Sequence, residues 1–137
     1  MSIKQQESAL KSTFKKNALG RLNIHLVENQ MGQGMSDMIC INRRGTVVWL
    51  EAKHLDVWPK RETTLPLRLV FEPGQVPFLK EWVSWSGQAF VLLRAEGELY
   101  LLFPKGKFDL VDMTQAEIKE FAVQTGAKDI IEFLESI

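Results

Sequence analysis

Two acidic residues and a lysine stand near one another in the middle of the sequence. Asp37 opens one apolar stretch, and Glu51 and Lys53 end the next, in which residues 47–50 are all apolar. Charges in those positions are not explained by an alternating solvent-exposed face. Paired carboxylates bind hard divalent cations, and a lysine beside them can stabilise negative charge that develops on a reacting phosphate. The alternative is an exposed strand end with a simple ion pair, because Glu-Ala-Lys is a common tripeptide.

The geometry of a hairpin decides whether these residues meet. Residues 37–42 and 46–53 are predicted to be strands joined by Arg43-Arg44-Gly45, a three-residue loop with glycine at its left-handed position. In that register Asp37 faces Glu51 with Cβ atoms about 5 Å apart. Two opposed carboxylates repel each other, so the pair indicates a cation between them. A two-residue turn would shift the register by one and remove the pairing.

A third carboxylate, Glu7, belongs to a helix predicted over residues 3–18. It falls on the apolar stripe of that helix, between Ile3 and Leu10. A carboxylate directed at a core is costly unless something neutralises it. Glu7 is therefore a candidate ligand of the same cation. A frayed helix start that reaches water, or a pairing with a lysine, explains its position equally well.

The remaining pattern predicts an α/β protein with helices and strands in a defined order. The order is helix, three strands, helix, two strands and two short helices. Residues 54–72 have no clean period and are interpreted as a long loop or flap, a type of segment that is often functional. The other predicted elements are a strand at 22–27, a glycine-rich loop at 30–36, a helix at 73–86, strands at 89–93 and 99–103 around a hairpin loop at 94–98, and C-terminal helices over about 113–136.

Composition narrows the function classes. The 137 residues are 45% hydrophobic and 25% charged, which is typical of one globular domain. The sequence has neither a run of about 18 apolar residues nor a basic-then-apolar leader, so we expect no membrane partner and no secretion. One cysteine, Cys40, and two histidines supply neither an internal disulfide nor a standard zinc site. We therefore expect a reducing, cytoplasmic setting.

The charge is distributed unevenly along the chain. The net charge is zero, but residues 108–137 carry seven acids and two bases, and the first 107 residues have a net charge of +5. This asymmetry makes the first 107 residues basic enough to bind phosphate groups and leaves the C-terminal part acidic. The tryptophans are better interpreted as core or interface residues than as base-stacking platforms, and only Trp58, in the basic loop, is a candidate for contact with nucleic acid. The candidate phosphate contacts are Arg43, Arg44, Lys60, Arg61 and Arg68.

Ser36-Asp37, thirteen residues and then Glu51-Ala52-Lys53 resemble the bipartite signature of the PD-(D/E)XK nuclease superfamily. The helix with Glu7 and the order of the elements are similar to the core of that superfamily. Residues 34–37, 49–53 and 73–75 are most similar to VRR-NUC and Holliday-junction-resolvase-like members, many of them phage-encoded. The resemblance covers about residues 3–103, and Ser36 stands where the signature often has proline.

The resemblance implies a restriction-endonuclease-like core, in the order αβββαβ, with C-terminal helices added to it. It implies that Asp37, Glu51 and Glu7, with the Ala52 carbonyl, hold one or two Mg²⁺ or Mn²⁺ ions. Lys53 would orient the attacking water or stabilise the transition state, and Gln75 would border the site. These roles are hard-oxygen coordination and metal-assisted hydrolysis.

The implied activity is metal-dependent hydrolysis of DNA, with branched, flapped or junction DNA as candidate substrates, in a bacterial or phage-infected cell. A homodimer is one expected assembly. Two alternatives stay open: a catalytically inactive DNA-binding module with the same fold, and an α/β scaffold subunit with no nucleic-acid role. A site that had lost its catalytic activity would have no reason to keep two like charges facing each other, and this favours an active enzyme over the two alternatives.

Overall fold

A computed structural model describes residues 1–27 and 34–137. The predicted glycine-rich loop at 30–36 therefore lies outside the described residues, apart from its last three positions. A 3₁₀ helix spans Leu110–Asp112. The helices and strands are α1 (Ile3–Asn17), β1 (Asn23–Leu26), β2 (Met38–Ile41), β3 (Val47–Leu55), α2 (Gln75–Ser84), β4 (Gln88–Ala95), β5 (Glu98–Leu102), α3 (Gln115–Phe121), β6 (Gln124–Thr125) and α4 (Ala127–Ser136).

The strands form one mixed six-stranded sheet in the order β1-β2-β3-β4-β5-β6. β3 and β4 run parallel and α2 connects them, whereas the other four neighbouring pairs are antiparallel. A parallel pair needs a crossover connection, which is the part that α2 plays here. The predicted α/β class, with a mixed central sheet and added C-terminal helices, is confirmed.

Both faces of the sheet are covered, because alternate residues of β3 point to opposite faces. Val48 and Leu50 belong to a core formed with α1 and α4, and Trp49 belongs to a second core formed with α2 and α3. Glu51 and Lys53 therefore share the Trp49 face. In the described ranges, no helix has both the length and the apolar character needed to cross a membrane.

The β2–β3 hairpin has the register that the sequence predicted. Ile41 pairs with Val47 and Met38 with Leu50, across a loop in which Gly45 has a φ of +86°. Asn42 fixes this loop, because its Oδ1 accepts hydrogen bonds from the backbone N–H groups of Arg44 and Thr46. The loop chemistry thus sets which residue of β3 lies beside Asp37.

Three parts of the chain differ from the prediction. β4 and β5 continue to Ala95 and Glu98, leaving a two-residue turn rather than a five-residue loop. Glu96 and Gly97 both have positive φ, the geometry of the tight turn that suits the twist of a hairpin. Strand β6 was not predicted, because two residues carry no readable periodicity. The helix predicted from residue 73 begins at Gln75, after Gly74 with a φ of +89°.

Cys40 lies inside the core on β2. Its side chain is 2% exposed, and burial raises the pKa of its thiol to about 12. The thiolate is the reactive form of cysteine, so this group is a small core residue rather than a nucleophile.

Candidate active site

Asp37 and Glu51 lie together at the end of the β2–β3 hairpin that is opposite its loop. Asp37 directly precedes β2, and its Oδ1 accepts a hydrogen bond from the backbone N–H of Ala52 at 3.2 Å. Glu51 is 1% exposed, and burial together with the nearby Asp37 charge raises its pKa to about 9. Within the described residues, its Oε1 is buried and has no hydrogen-bond partner. A buried carboxylate with a spare oxygen is a group prepared to receive a cation or a proton.

Lys53 is the ammonium group that lies beside Glu51. It is 3% exposed, and its Nζ lies 3.9 Å from Glu51 Oε2 and 3.9 Å from Glu7 Oε1. The ammonium also lies 5.5 Å from the centre of the Phe71 ring. Burial raises the pKa of Glu7, and the charge of Lys53 opposes that shift. α1 therefore brings Glu7 to the same buried ammonium that Glu51 contacts. We refer to Glu7, Asp37, Glu51 and Lys53 as the acidic site.

Gln75 joins the acidic site from the first turn of α2. Its Nε2 donates to Glu51 Oε2 at 3.3 Å, and its Oε1 accepts from the backbone N–H of Glu72 at 2.9 Å. The second contact fixes which end of the amide faces Glu51. Gln75 thus binds the carboxylate as a donor, at the position expected for a glutamine that borders the site.

Two glycines hold the segment before Asp37 against the start of α2. Gly34 has a φ of +89°, and a Cβ added there would lie 2.3 Å from the carbonyl carbon and oxygen of Gly74. Only a residue without a side chain allows the two backbones to approach this closely. The contact fixes Asp37, three residues after Gly34, relative to Gln75, one residue after Gly74.

Lys11 is a site residue that the sequence reasoning missed. Its Nζ lies 3.5 Å from Asp37 Oδ2, and both side chains are 19% exposed. Lys11 is four residues after Glu7, so both side chains project from the same face of α1. That spacing was the signal available in the sequence, although it identifies Lys11 only once α1 is known to cross the end of the hairpin.

A second missed group anchors the start of α1 to the sheet. Arg94 Nε donates to His54 Nδ1 at 3.1 Å, and His54 Nε2 lies 2.9 Å from Asp56 Oδ1. Gln6 completes the group, since its Nε2 donates to Asp56 and its carbonyl accepts from Arg94. Gln6 precedes Glu7, so these bonds place Glu7 near Lys53. His54 and Arg94 are directly paired positions of β3 and β4, which the sequence alone could not reveal.

The structure divides the predicted phosphate-binding residues into two sets. Arg43 and Arg44 lie in the β2–β3 loop, at the opposite end of the hairpin from Glu51. Their guanidinium groups donate to the backbone carbonyls of Gly20 and Ser136. The structure does not bring these two arginines to the acidic site, because the strand that links them to Glu51 runs away from it.

The other basic residues and the loop tryptophan have different environments. Lys60, Arg61 and Arg68 are exposed in the segment between β3 and α2, with no ion pair among the described residues. Trp58 is 8% exposed and packs edge-on against Tyr100. The interpretation of Trp58 as a core residue is therefore confirmed, and the alternative that it contacts nucleic acid is wrong.

The donor chemistry of the acidic site fits a hard divalent cation. Carboxylate and carbonyl oxygens are the ligands that Mg²⁺ and Mn²⁺ prefer, and Glu51 Oε1 is a buried oxygen without a partner within the described range. Among residues 1–27 and 34–137, however, no three acidic, histidine or cysteine side chains converge closely enough to hold one ion together. Lys53 lies between Glu7 and Glu51, which favours a ligand set centred on Asp37, Glu51 and the Ala52 carbonyl.

The fold places the chain in a structural class, that of resolvase-like α/β proteins. The chain is similar in structure to Hjc of Archaeoglobus fulgidus, a Holliday junction resolvase from an archaeal hyperthermophile. The TM-score is 0.56 and the sequence identity 14%, over 85% of this chain and 89% of that chain. No model of a known protein family matches the sequence, and no curated protein matches it. At this identity the likeness establishes the fold.

Proposed function

We propose that this chain is a divalent-metal-dependent nuclease of the PD-(D/E)XK type that hydrolyses DNA phosphodiester bonds. The observation that carries the proposal is Glu51, a buried carboxylate that is placed beside Asp37 and contacts Lys53 and Gln75. Keeping the Glu51 carboxylate and the Lys53 ammonium out of water costs stability, which a purely structural role would not require. The resolvase-like fold supports the same conclusion.

Each residue of the acidic site has a distinct part in this proposal. Asp37, Glu51 and the Ala52 carbonyl would hold Mg²⁺ or Mn²⁺, and Glu7 would complete the set. The bound metal supplies polarisation of the scissile phosphate and activation of water. Lys53 would donate to the developing negative charge at phosphorus. Gln75 keeps Glu51 in place by donating to its Oε2.

Lys11 would have a further role beside Asp37. Its ammonium lies beside Asp37 and is partly exposed, so it can neutralise Asp37 without metal and contact a phosphate oxygen when substrate is present. Lys60, Arg61 and Arg68 would contact the nucleic-acid backbone beyond the scissile position. Because these contacts read no base, we propose recognition of DNA shape rather than of sequence.

The proposed substrate class is branched DNA. One structural neighbour is a Holliday junction resolvase, and the match covers 89% of that chain. We propose that four-way or flapped DNA is cleaved in preference to plain duplex, by a single chain or by a homodimer that engages two strands.

The direct test incubates the purified chain with labelled linear, flapped and four-way DNA in Mg²⁺, Mn²⁺ or EDTA. We expect cleavage of branched DNA with either metal and none in EDTA. Glu51→Gln, which keeps shape and removes the metal-binding charge, should abolish cleavage while leaving the fold intact by circular dichroism. Undiminished cleavage in EDTA by wild type and variant alike would end the proposal.

One observation favours the alternative of a non-cleaving DNA-binding module. Lys11 and Lys53 already neutralise the acidic site, and in the described part of the chain no three candidate ligands converge. Metal binding distinguishes a nuclease from a non-cleaving DNA-binding module. A nuclease should gain thermal stability with Mg²⁺ or Mn²⁺ because only the folded state binds the ion. A non-cleaving module should bind branched DNA equally well with metal or with EDTA and show no such gain.

A further inference from the structure

The C-terminal half of α2 carries a group of aromatic residues at the surface. A cavity of about 340 Å³ is lined by Phe78, Glu81, Trp82, Trp85 and Gly87, and we call it the aromatic pocket. Trp85 is 82% exposed and Trp82 38%. Large aromatic side chains this accessible are uncommon on a surface that contacts only water, and they mark binding sites.

The pocket wall is rigid. The rings of Phe78 and Trp82 are stacked, with centroids 6.1 Å apart and an interplanar angle of 21°. Trp49, from the core, meets both rings edge-on at 5.4 and 5.8 Å. Trp82 also packs against Gly87, where an added Cβ would come within 2.4 Å of the indole. The Phe78 and Trp82 rings are therefore fixed before any ligand arrives.

The electrostatics of the pocket select a cation. Glu81 lines it, and within the described residues its carboxylate forms no ion pair. The last turn of α2 has no basic residue to offset the negative end of the helix dipole. Aromatic faces attract cations, and both negative contributions repel phosphate. A nucleic-acid strand is therefore a poor occupant of this pocket.

We propose that the aromatic pocket binds an arginine side chain of a protein partner. A guanidinium is planar and weakly hydrated, so it can stack on an indole while donating to a carboxylate. Trp82 and Trp85 provide the stacking faces and Glu81 the acceptor. The proposal is independent of the nuclease activity, because it uses none of the acidic site.

The test uses the full chain with tryptophan indole nitrogens labelled and their signals assigned through Trp82→Phe and Trp85→Phe. The probe is an acetylated, amidated Gly-Arg-Gly peptide, and the control replaces its arginine with neutral, nearly isosteric citrulline. We expect the arginine peptide to shift the Trp82 and Trp85 indole signals and the citrulline peptide to leave them in place. Glu81→Gln should weaken arginine-peptide binding by about threefold, the scale of an exposed ion pair. Glu132→Gln, an exposed acid on α4, should change nothing.

Three outcomes would overturn the proposal. Equal shifts with the citrulline peptide would show that charge is not recognised. Shifts of the same two indoles by oligothymidylate, without any response to the arginine peptide, would assign the pocket to nucleic-acid bases. Shifts that follow protein concentration alone, again without a peptide response, would assign it to a second copy of this chain.

Discussion

At the scale of single residues, the unusual group is Glu51, a carboxylate held almost entirely out of water beside another acid. Its raised pKa means that the folded protein binds a proton there which the unfolded chain, with an ordinary carboxyl, releases at neutral pH. Folding stability and site chemistry are therefore linked through one proton. Lys53 and Gln75 moderate the cost without removing it, since the spare Oε1 still has no partner among the described residues.

The first prediction concerns stability against pH in EDTA. The folded pKa of Glu51 is about 9 and the unfolded value is near that of a free carboxyl, so its contribution is fully present below about pH 4.5. It is lost progressively as pH rises from about 4.5 to about 9, by at most about 1.4 kcal/mol per pH unit. Glu51→Gln should lack this component, as the difference between the two urea-unfolding profiles would measure. Parallel profiles from pH 5 to 9 would contradict the raised pKa.

The second prediction concerns Lys53. Lys53→Met keeps the length of the side chain and removes its charge, so single-turnover cleavage with Mg²⁺ should fall by about 10²–10³-fold, the scale for a transition-state donor. Metal-induced stabilisation should persist, because lysine is not a ligand. The matched control is Lys15→Met, which removes an exposed charge on α1 and should cleave normally. Normal cleavage by Lys53→Met would exclude Lys53 from the mechanism.

At the scale of elements, the acidic site depends on how three segments meet. The hairpin supplies Asp37 and Glu51, α1 supplies Glu7 and Lys11, and α2 supplies Gln75. Contacts distant from the chemistry fix these segments, notably the approach of Gly34 to Gly74 and the bonds from Arg94 to Gln6 and His54.

The third prediction tests the Gly34–Gly74 backbone contact. It compares this contact with the free-energy cost that alanine has at any position with a positive φ. Gly34 and Gly45 have φ angles of +89° and +86°, but a Cβ at Gly45 would meet nothing within 4 Å. Gly45→Ala should therefore cost about 1 kcal/mol, for backbone strain alone. Gly34→Ala should cost more and should also reduce cleavage, because the segment before Asp37 must move away from α2. Thermal melts and cleavage rates of both variants would measure this. Equal losses would mean that the Gly34–Gly74 contact has no positioning role.

The element scale also explains what the sequence could predict. The register of Asp37 and Glu51 was readable, because a three-residue loop with Gly45 leaves one way to pair the strands. The arginines of that same loop were misplaced, since composition shows charge but not the end of the strand at which it lies. The choice between core and nucleic-acid contact stayed open for Trp58, because a segment without periodicity gives no sign of its buried face. The pairing of His54 with Arg94 needed the order of strands, which depends on contacts distant in sequence.

At the scale of the whole molecule, the two charged parts of the chain belong to different elements. Helices α3 and α4, which carry acidic residues, contact the β5–β6 part of the sheet, and the exposed bases of residues 60–68 lie in the segment that connects β3 to α2. A protein without net charge can in this way present a local basic surface, which is where counterions would be released from DNA.

The fourth prediction tests that surface. Neutralising Lys60 and Arg61 together, as Lys60→Gln and Arg61→Gln, should weaken binding to all DNA sequences alike. It should also reduce the slope of log affinity against log salt by about two, because each phosphate contact contributes about one. Arg43→Gln with Arg44→Gln removes the same charge at the far end of the hairpin and should leave the slope unchanged. Fluorescence anisotropy across a salt series would measure both, and the reverse pattern would place DNA on the β2–β3 loop.

The burial of Cys40 has a practical consequence for these measurements. Because the single thiol of the chain is in the core and its pKa is about 12, maleimide reagents should leave it unmodified in the native protein. A cysteine introduced at an exposed position without a proposed binding role, such as Glu62 or Ser84, would then carry a dye alone, without removal of the natural cysteine. A fluorophore could in this way be attached beside the basic segment to follow DNA binding, or beside the aromatic pocket to follow peptide binding.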